Sequence, residues 1–405
     1  MKPSAANEIT DKLDTSTPVL ILGGAANSAA LARNLGRAGV AISAAGKPGC
    51  LALYSRYCSH KFHAPDGVAV QDFWRALLLD APKPELQGSL IFALCDDSIE
   101  FVTANYTELS QRYLLEGFDP ALRHEMLDKK ATLVRARAAG VATPNFWDVD
   151  SAEKLEAIRD EVTFPVMVKP IHSHIFIPIF GRKLFIIEKD WDELVEKVQM
   201  AQDANCEVMV MEMVPGPDSL LSSYYTYIDE DGRWLFHYTK RVIRRYPVNR
   251  GGGCYHDSKW LPETAEAGRK FFASMPWRGL GNIEFKKDLR DGQLKVIEVN
   301  PRFTDAHRMV VAGGLPIDEI IYRRQTGQHV PAFTSYEEGV RMWNPLRDFL
   351  AFRELNKRGE LSFAGWIKSL MEGRKVMPIL SLSDPMPTLV RLREEFGRAF
   401  RRLGG

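Results

Sequence analysis

Short, continuous apolar runs separated by helix-length stretches mark the start of the chain. Pro18-Val19-Leu20-Ile21-Leu22 runs into Gly23-Gly24, and residues 27–38 then read as a helix. Residues 40–45 and 89–94 are further buried-strand runs, with a helical stretch near 70–79 between them. Runs that are apolar on both faces and alternate with helices predict a parallel, Rossmann-like sheet over residues 18–125.

The pattern changes downstream. Phe164-Pro165-Val166-Met167-Val168-Lys169-Pro170 and Val208-Met209-Val210-Met211-Glu212-Met213-Val214-Pro215-Gly216 are apolar strands that end in polar residues. Ile283 and Phe285 bracket Glu284, and Lys295-Val296-Ile297-Glu298-Val299-Asn300-Pro301-Arg302 follows the turn Asp288-Leu289-Arg290-Asp291-Gly292. Two apolar runs joined by such a turn predict an antiparallel hairpin in which Glu284 and Glu298 become cross-strand neighbours. Residues two apart share a strand face, so Glu298, Asn300 and Arg302 point the same way. Residues 234–238 predict another strand, followed by the basic segment Thr239-Lys240-Arg241-Val242-Ile243-Arg244-Arg245-Tyr246 and the loop Asn249-Arg250-Gly251-Gly252-Gly253-Cys254. Helices are expected over residues 344–356 and 387–402, broken by Asn356-Lys357-Arg358-Gly359 and Ser383-Asp384-Pro385.

Composition narrows the setting. A chain of 405 residues with 45% hydrophobic content can bury two or three domain cores. A net charge of +1 supplies no global field to recruit nucleic acid. Cys50, Cys58, Cys95, Cys206 and Cys254 are scattered and odd in number, as in a reducing cytoplasm. Residues 1–17 are polar and lack a signal-peptide core, and no run reaches membrane-spanning length. A disordered leader on a soluble cytoplasmic protein is the expectation. The segment from Arg341 onward carries thirteen Lys/Arg against seven Asp/Glu, interleaved with Trp343, Phe349, Phe352 and Trp366. It reads as a helical appendage packed on the body or as a basic amphipathic surface.

Candidate chemistry centres on the paired carboxylates. Two carboxylates placed opposite each other repel unless a cation lies between them, and Mg²⁺ takes oxygen ligands and shares them with substrate phosphates. Arg302 adds a forked phosphate grip. Lys169 stands on a rigid strand end, and the Gly251–Gly253 loop allows close approach of a ligand to the Lys240, Arg241 and Arg250 cations. Nicotinamide binding fits poorly, because Gly23-Gly24-Ala25-Ala26-Asn27 lacks the third glycine and no acid closes the second strand. Cys58, His60 and His63 match no closed zinc set.

The Glu298-Val299-Asn300-Pro301-Arg302 segment resembles the E-[VI]-N-P-R signature of the ATP-grasp superfamily, of the carbamoyl-phosphate-synthase-like or carboxylate–amine ligase type. Asp128-Lys129-Lys130, the Lys169 strand and the Glu212 segment resemble other parts of that family in its order, from about residue 18 to about residue 325. The resemblance implies an α/β and α+β architecture: a Rossmann-like pre-ATP-grasp domain at 18–125, a two-lobed ATP-grasp domain at 126–330 hinged near 208–218, and a helical basic region at 331–405. It implies ATP and Mg²⁺ (or Mn²⁺) as cofactors, with Glu284, Glu298 and Asn300 on the metals and Lys129 and Lys169 on phosphates. Glu212, Val214 and Asp218 would meet the nucleoside. Lys240 or Arg241, with Arg250 and Arg302, would meet the transferring phosphoryl or the substrate carboxylate. The implied reaction is ADP-forming ligation of a carboxylate to an amine or thiol through an acyl phosphate, with small-molecule substrates. The family's glycine-rich phosphate-covering loop is replaced here by Ile171-His172-Ser173-His174-Ile175-Phe176. That departure leaves open a catalytically silent nucleotide-binding regulator, and the basic C-terminal region leaves open a membrane-associated assembly factor.

Overall fold

The computed structural model describes the backbone of residue 9, residues 11–171 and residues 173–403, and the side chains of these except 173, 174 and 396–403. Strands β1 (Val19–Leu22), β2 (Ile42–Gly46), β3 (Cys58–His63) and β4 (Leu90–Ala93) form one parallel sheet in the order β3-β2-β1-β4. β1 and β2 are buried on both faces, which is why they read as unbroken apolar runs. Residues 11–17 belong to no free leader in this structure. Ile9 and Leu13 pack against the core, and Arg323 donates to the Asp11 carbonyl at 2.6 Å. The rest of the expected leader, residues 1–8 and 10, lies outside the described residues.

A second sheet holds β5 (Phe146–Asp148), β6 (Val166–Pro170), β7 (Phe185–Ile187) and β8 (Val208–Glu212) in the antiparallel order β5-β8-β6-β7. The third, larger sheet comprises β9 (Leu221–Ile228), β10 (Trp234–Tyr246), β11 (Gly252–Ser258), β12 (Gly279–Lys287) and β13 (Leu294–Asn300), ordered β11-β10-β9-β12-β13. β10 corrects the reading of the basic segment. Residues 239–246 continue the strand, pairing with β9 as far as Arg241 and with β11 from Lys240 to Tyr246.

The two faces of the third sheet have different neighbours. Tyr224, Ile283, Phe285 and Val299 pack with Met209 and Met211 of β8 and with Phe271 and Phe272 of the helix Pro262–Ala273. From the other face, Tyr225, Tyr227 and Leu280 share a core with β1, β2 and β4. Each buried side chain of this size contributes about 1.5–3 kcal/mol. That common core seats the first sheet over one end of the third.

Past residue 331 lie the helices Pro345–Lys357, Phe363–Met371 and Met386–Leu403, and a parallel pair, β14 (Val340–Met342) with β15 (Arg374–Val376). The pair was not expected, since three-residue strands are too short to show a period. Asp384 fastens this segment to the first sheet's layer, accepting from Arg33 at 2.8 Å and from the Ser55 hydroxyl at 2.8 Å.

Candidate active site

Strand register assembles one polar row across four strands of the third sheet. Lys240 on β10 lies opposite Ser223 on β9, Ser223 opposite Glu284 on β12, and Glu284 opposite Glu298 on β13. The parallel row two residues along is Tyr238, Tyr225, Asn282 and Asn300. Asn300 Nδ2 donates to Asn282 Oδ1 at 3.3 Å, and Asn282 Nδ2 donates to the Tyr224 carbonyl at 3.2 Å.

Charge in this row is only loosely compensated. Lys240 Nζ donates to Ser223 Oγ at 2.9 Å but stays 4.0 Å from Glu284 Oε1. The lysine side chain is 3% exposed and the Glu284 side chain 32%, so the cation is dry while the carboxylate opens outward. No ion pair involves Glu298 among the described residues. Opposed carboxylates of this kind fit a hard cation, with Asn300 as a third oxygen donor on the same face.

A bulge brings in the next cation. After the Glu284–Glu298 pair the register jumps to Phe285 opposite Val296, so Ile297 is the extra residue on β13. Its carbonyl accepts from Lys169 Nζ at 3.0 Å, drawing the end of β6 against β13. Lys129 opens the helix Lys129–Ala138, which Asp128 caps, and donates to the Ile171 carbonyl at 2.9 Å. Burial pushes Lys169 down to about 8, with Glu298 pulling the other way. Burial likewise lowers Lys129 against Glu298, and Lys240 against Glu284. Three desolvated ammonium groups therefore face two carboxylates without close pairing.

Arg302 bridges to the first sheet's layer. Its Nε donates at 2.6 Å to Asp96 Oδ1, at the start of the helix Asp96–Ala104 that follows β4. The Tyr225 hydroxyl, on the same face as Ser223, bonds the Thr304 hydroxyl just after Arg302.

In the segment where a hinge is expected, the carboxylates of Glu212 and Asp218 are committed to other partners. Glu212 accepts from Arg290 Nη1 at 2.5 Å and from the Asn145 amide at 3.2 Å. Asp218 accepts from Arg245 Nε at 2.8 Å and from the Asn249 amide at 3.1 Å. Val214 is buried between them. Lys286, two residues beyond Glu284 on the same face, donates to the Gly216 carbonyl at 2.7 Å, and burial pushes it down to about 8.

The basic segment does not act as one cluster. Arg241 points away from Lys240, as the next residue of a strand must, and pairs with Asp257 at 2.9 Å. Arg244 pairs with buried Asp348 at 2.6 Å, Arg245 with Asp218, and Arg250 is exposed in the loop before β11. Only Lys240 of the pair Lys240/Arg241 joins the row. Ser223, Asn282 and Lys286 had no sequence signal of their own, because a hydroxyl, an amide or a lysine in a strand gains meaning only from register.

Other candidates separate. Cys58, His60 and His63 lie on β3, an edge strand, where Cys58 is buried and both histidines are exposed. Among the described residues, no group of three His, Cys, Asp or Glu could hold a metal, so the metal expectation rests on Glu284, Glu298 and Asn300. His172, and the side chain of His174, lie outside the described residues. The segment after β6 forms the helix Ser173–Phe180, with Ile175, Ile177 and Ile179 exposed.

No family model matches the chain. It is similar to a D-aspartate ligase of Enterococcus faecium (strain Aus0004), 22% identical over 293 residues, covering 67% of this chain and 68% of that protein. It is also similar to a putative D-alanine–D-lactate ligase of Streptomyces coelicolor, 28% identical over 277 residues and covering 63% and 74%. Among solved structures, a biotin carboxylase–β-γ-ATP complex from Campylobacter jejuni superposes with a TM-score of 0.65 at 16% identity, covering 81% and 75%.

Proposed function

We propose that this chain, an ATP-grasp ligase by its fold and its relatives, activates a carboxylate as an acyl phosphate and joins it to an amine or thiol. The observation that carries the reading is the row Lys240–Ser223–Glu284–Glu298, in which the carboxylates stand opposed and the buried Lys240 stays 4.0 Å from Glu284. Such a surface suits a metal-bound polyphosphate, whose negative charge engages the lysines while its cation engages the carboxylates.

Glu284, Glu298 and Asn300 would hold Mg²⁺ or Mn²⁺, which supplies neutralisation of phosphate charge. Lys129 and Lys169 hold the nucleotide phosphates, and Val214 presents backbone to the base. Glu212 and Asp218 shape the nucleoside pocket through Arg290 and Arg245. Lys240 and Arg302 orient the γ-phosphoryl group and the attacking carboxylate. Arg250, exposed in the loop before β11, would meet the substrate carboxylate or the transferring phosphoryl, whereas Arg241 is engaged by Asp257.

The carboxylate oxygen forms a bond to the γ-phosphorus as the bond to the ADP oxygen breaks. The nucleophile then adds at the acyl carbon, loses its proton, and phosphate leaves. The rate gain comes from positioning and fixed charge. Relatives named for D-aspartate, D-alanine and D-lactate make small amino and hydroxy acids the first substrates to try.

The test is ADP release against pooled D- and L-amino acids, hydroxy acids and other carboxylates with amine and thiol acceptors, followed by mass analysis. Acid-dependent ADP and a product joining both partners are expected. Tight ATP binding with no acid-dependent ADP across the panel would overturn the reading.

A further inference from the structure

We propose that the outer faces of the helices Pro345–Lys357 and Phe363–Met371 form a docking surface for an anionic lipid interface. Phe363–Met371 is an apolar helix in which no residue is buried. Phe363 is 62% exposed, Ile367 38% and Met371 81%. Spaced by four, they form one stripe along the helix. The opposite side is fixed to the protein. Trp366 stacks on Phe352 with ring centroids 4.7 Å apart and donates through Nε1 to Asp348 at 2.9 Å. Arg244 of β10 donates to the Ser369 hydroxyl at 3.0 Å. The stripe is therefore held outward by a rigid base.

The neighbouring helix extends the apolar surface. Phe349 and Leu346 are exposed, and the Phe349 and Phe363 rings each lie 5.9 Å from Trp366, which makes the patch continuous across both helices. Exposed Arg353, Lys357 and Lys368 surround it, with no ion pair among the described residues. The nearby acids Glu354 and Glu372 are taken by Arg358 and Arg341, which leaves Glu360. Apolar rings rimmed by free cations match the two demands of an anionic bilayer surface, insertion between headgroups and charge attraction. A second copy of the chain fits less well, because a two-fold contact through this patch would set its cations against the same set of cations. No helix among the described residues is long and apolar enough to cross a membrane, so the attachment is peripheral.

The test is co-sedimentation of the full chain with phosphatidylglycerol-containing vesicles and with pure phosphatidylcholine vesicles, at low and high salt. Binding to the anionic vesicles is expected, at least tenfold weaker on neutral ones and reduced by salt. Lys357→Glu with Lys368→Glu, and separately Phe363→Ser with Met371→Ser, are each expected to lower binding roughly tenfold or more while nucleotide affinity is unchanged. The substituted positions are on the surface, and retained nucleotide affinity shows that the chain is folded. Absence of pelleting, equal pelleting on neutral vesicles, or indifference to both pairs of substitutions would overturn the proposal. So would a dimer in solution that the Phe363→Ser, Met371→Ser protein cannot form.

Discussion

Two charged regions share the third sheet and its hinge, and they are built in opposite ways. Around the β12–β13 hairpin and hinge, acids and bases cancel at contact distance. Asp288 takes Arg290 at 2.5 Å and Lys295 at 2.7 Å, Glu212 takes Arg290 at 2.5 Å, and Asp218 takes Arg245 at 2.7 Å. Along the Lys240–Glu298 row the same residue types remain apart. Lys240 stops 4.0 Å short of Glu284, while Lys169 and Lys129 direct their hydrogen bonds to carbonyls. Saturated pairs hold an architecture together. Buried charge held away from its counter-charge is the feature on which the proposed ligand site rests.

The comparison breaks most visibly at Glu298. Glu298→Gln should reduce acid-dependent ADP formation roughly 10³-fold, since it removes one wall of the proposed metal site. Its unfolding midpoint should hold or rise, because the change relieves two opposed carboxylates. Lys240→Met comes next, with kcat expected to fall about 100-fold and the nucleotide KM little changed, as for a cation that acts on the transferring group. A matching loss in nucleotide affinity would instead place Lys240 among the ground-state contacts.

Lys169 sharpens the contrast through pH. Burial holds it at about 8 in the free protein, so its charge is present below that value and lost above it. Bound phosphate favours the charged form. Nucleotide affinity should therefore decline as pH rises through about 8, with proton uptake on binding in that range that calorimetry in buffers of different ionisation heat can read.

The hinge should behave in the reverse sense. Arg290→Met should cost about 1–3 kcal/mol of stability by denaturant titration, leaving buried Glu212 and Asp288 short of a partner, with a small effect on the chemical step. The smallest effect concerns acid. Hydrogen bonds from Arg290, then Lys295, hold the Asp288 carboxyl well below its usual range despite burial. A depressed folded value gives stability that is complete above the unfolded carboxylate range, about 3.9, and is lost as pH falls through the folded value. Asp288→Asn should flatten the acid limb of the stability curve.

The sequence made the hairpin legible because alternation around Glu284, the Asp-Gly turn and the apolar run before Glu298 agree on one register. It also exposed three strands of the parallel sheet, two of them buried on both faces, but not the edge strand β3, whose polar, exposed residues make no apolar run. It could not show the bulge at Ile297, which depends on which partner residue is skipped, nor Ser223, whose neighbours come from two distant strands. Arg241 and Arg250 stand near Lys240 in sequence, but strand alternation turns Arg241 away and Arg250 projects from a loop. Glu212 and Asp218 were visible as acids, while their commitment to Arg290 and Arg245 is tertiary.

Manganese spin resonance tests the central claim most directly, because it reports the metal at the protein and needs no knowledge of the acid substrate. Titrating Mn²⁺ with ADP into the wild-type chain should give a protein-bound, nucleotide-dependent signal that the Glu284→Gln, Glu298→Gln double variant lacks at the same concentrations. An undiminished bound signal in that variant would contradict the account and move the metal, and with it phosphoryl transfer, away from the Lys240–Glu298 row.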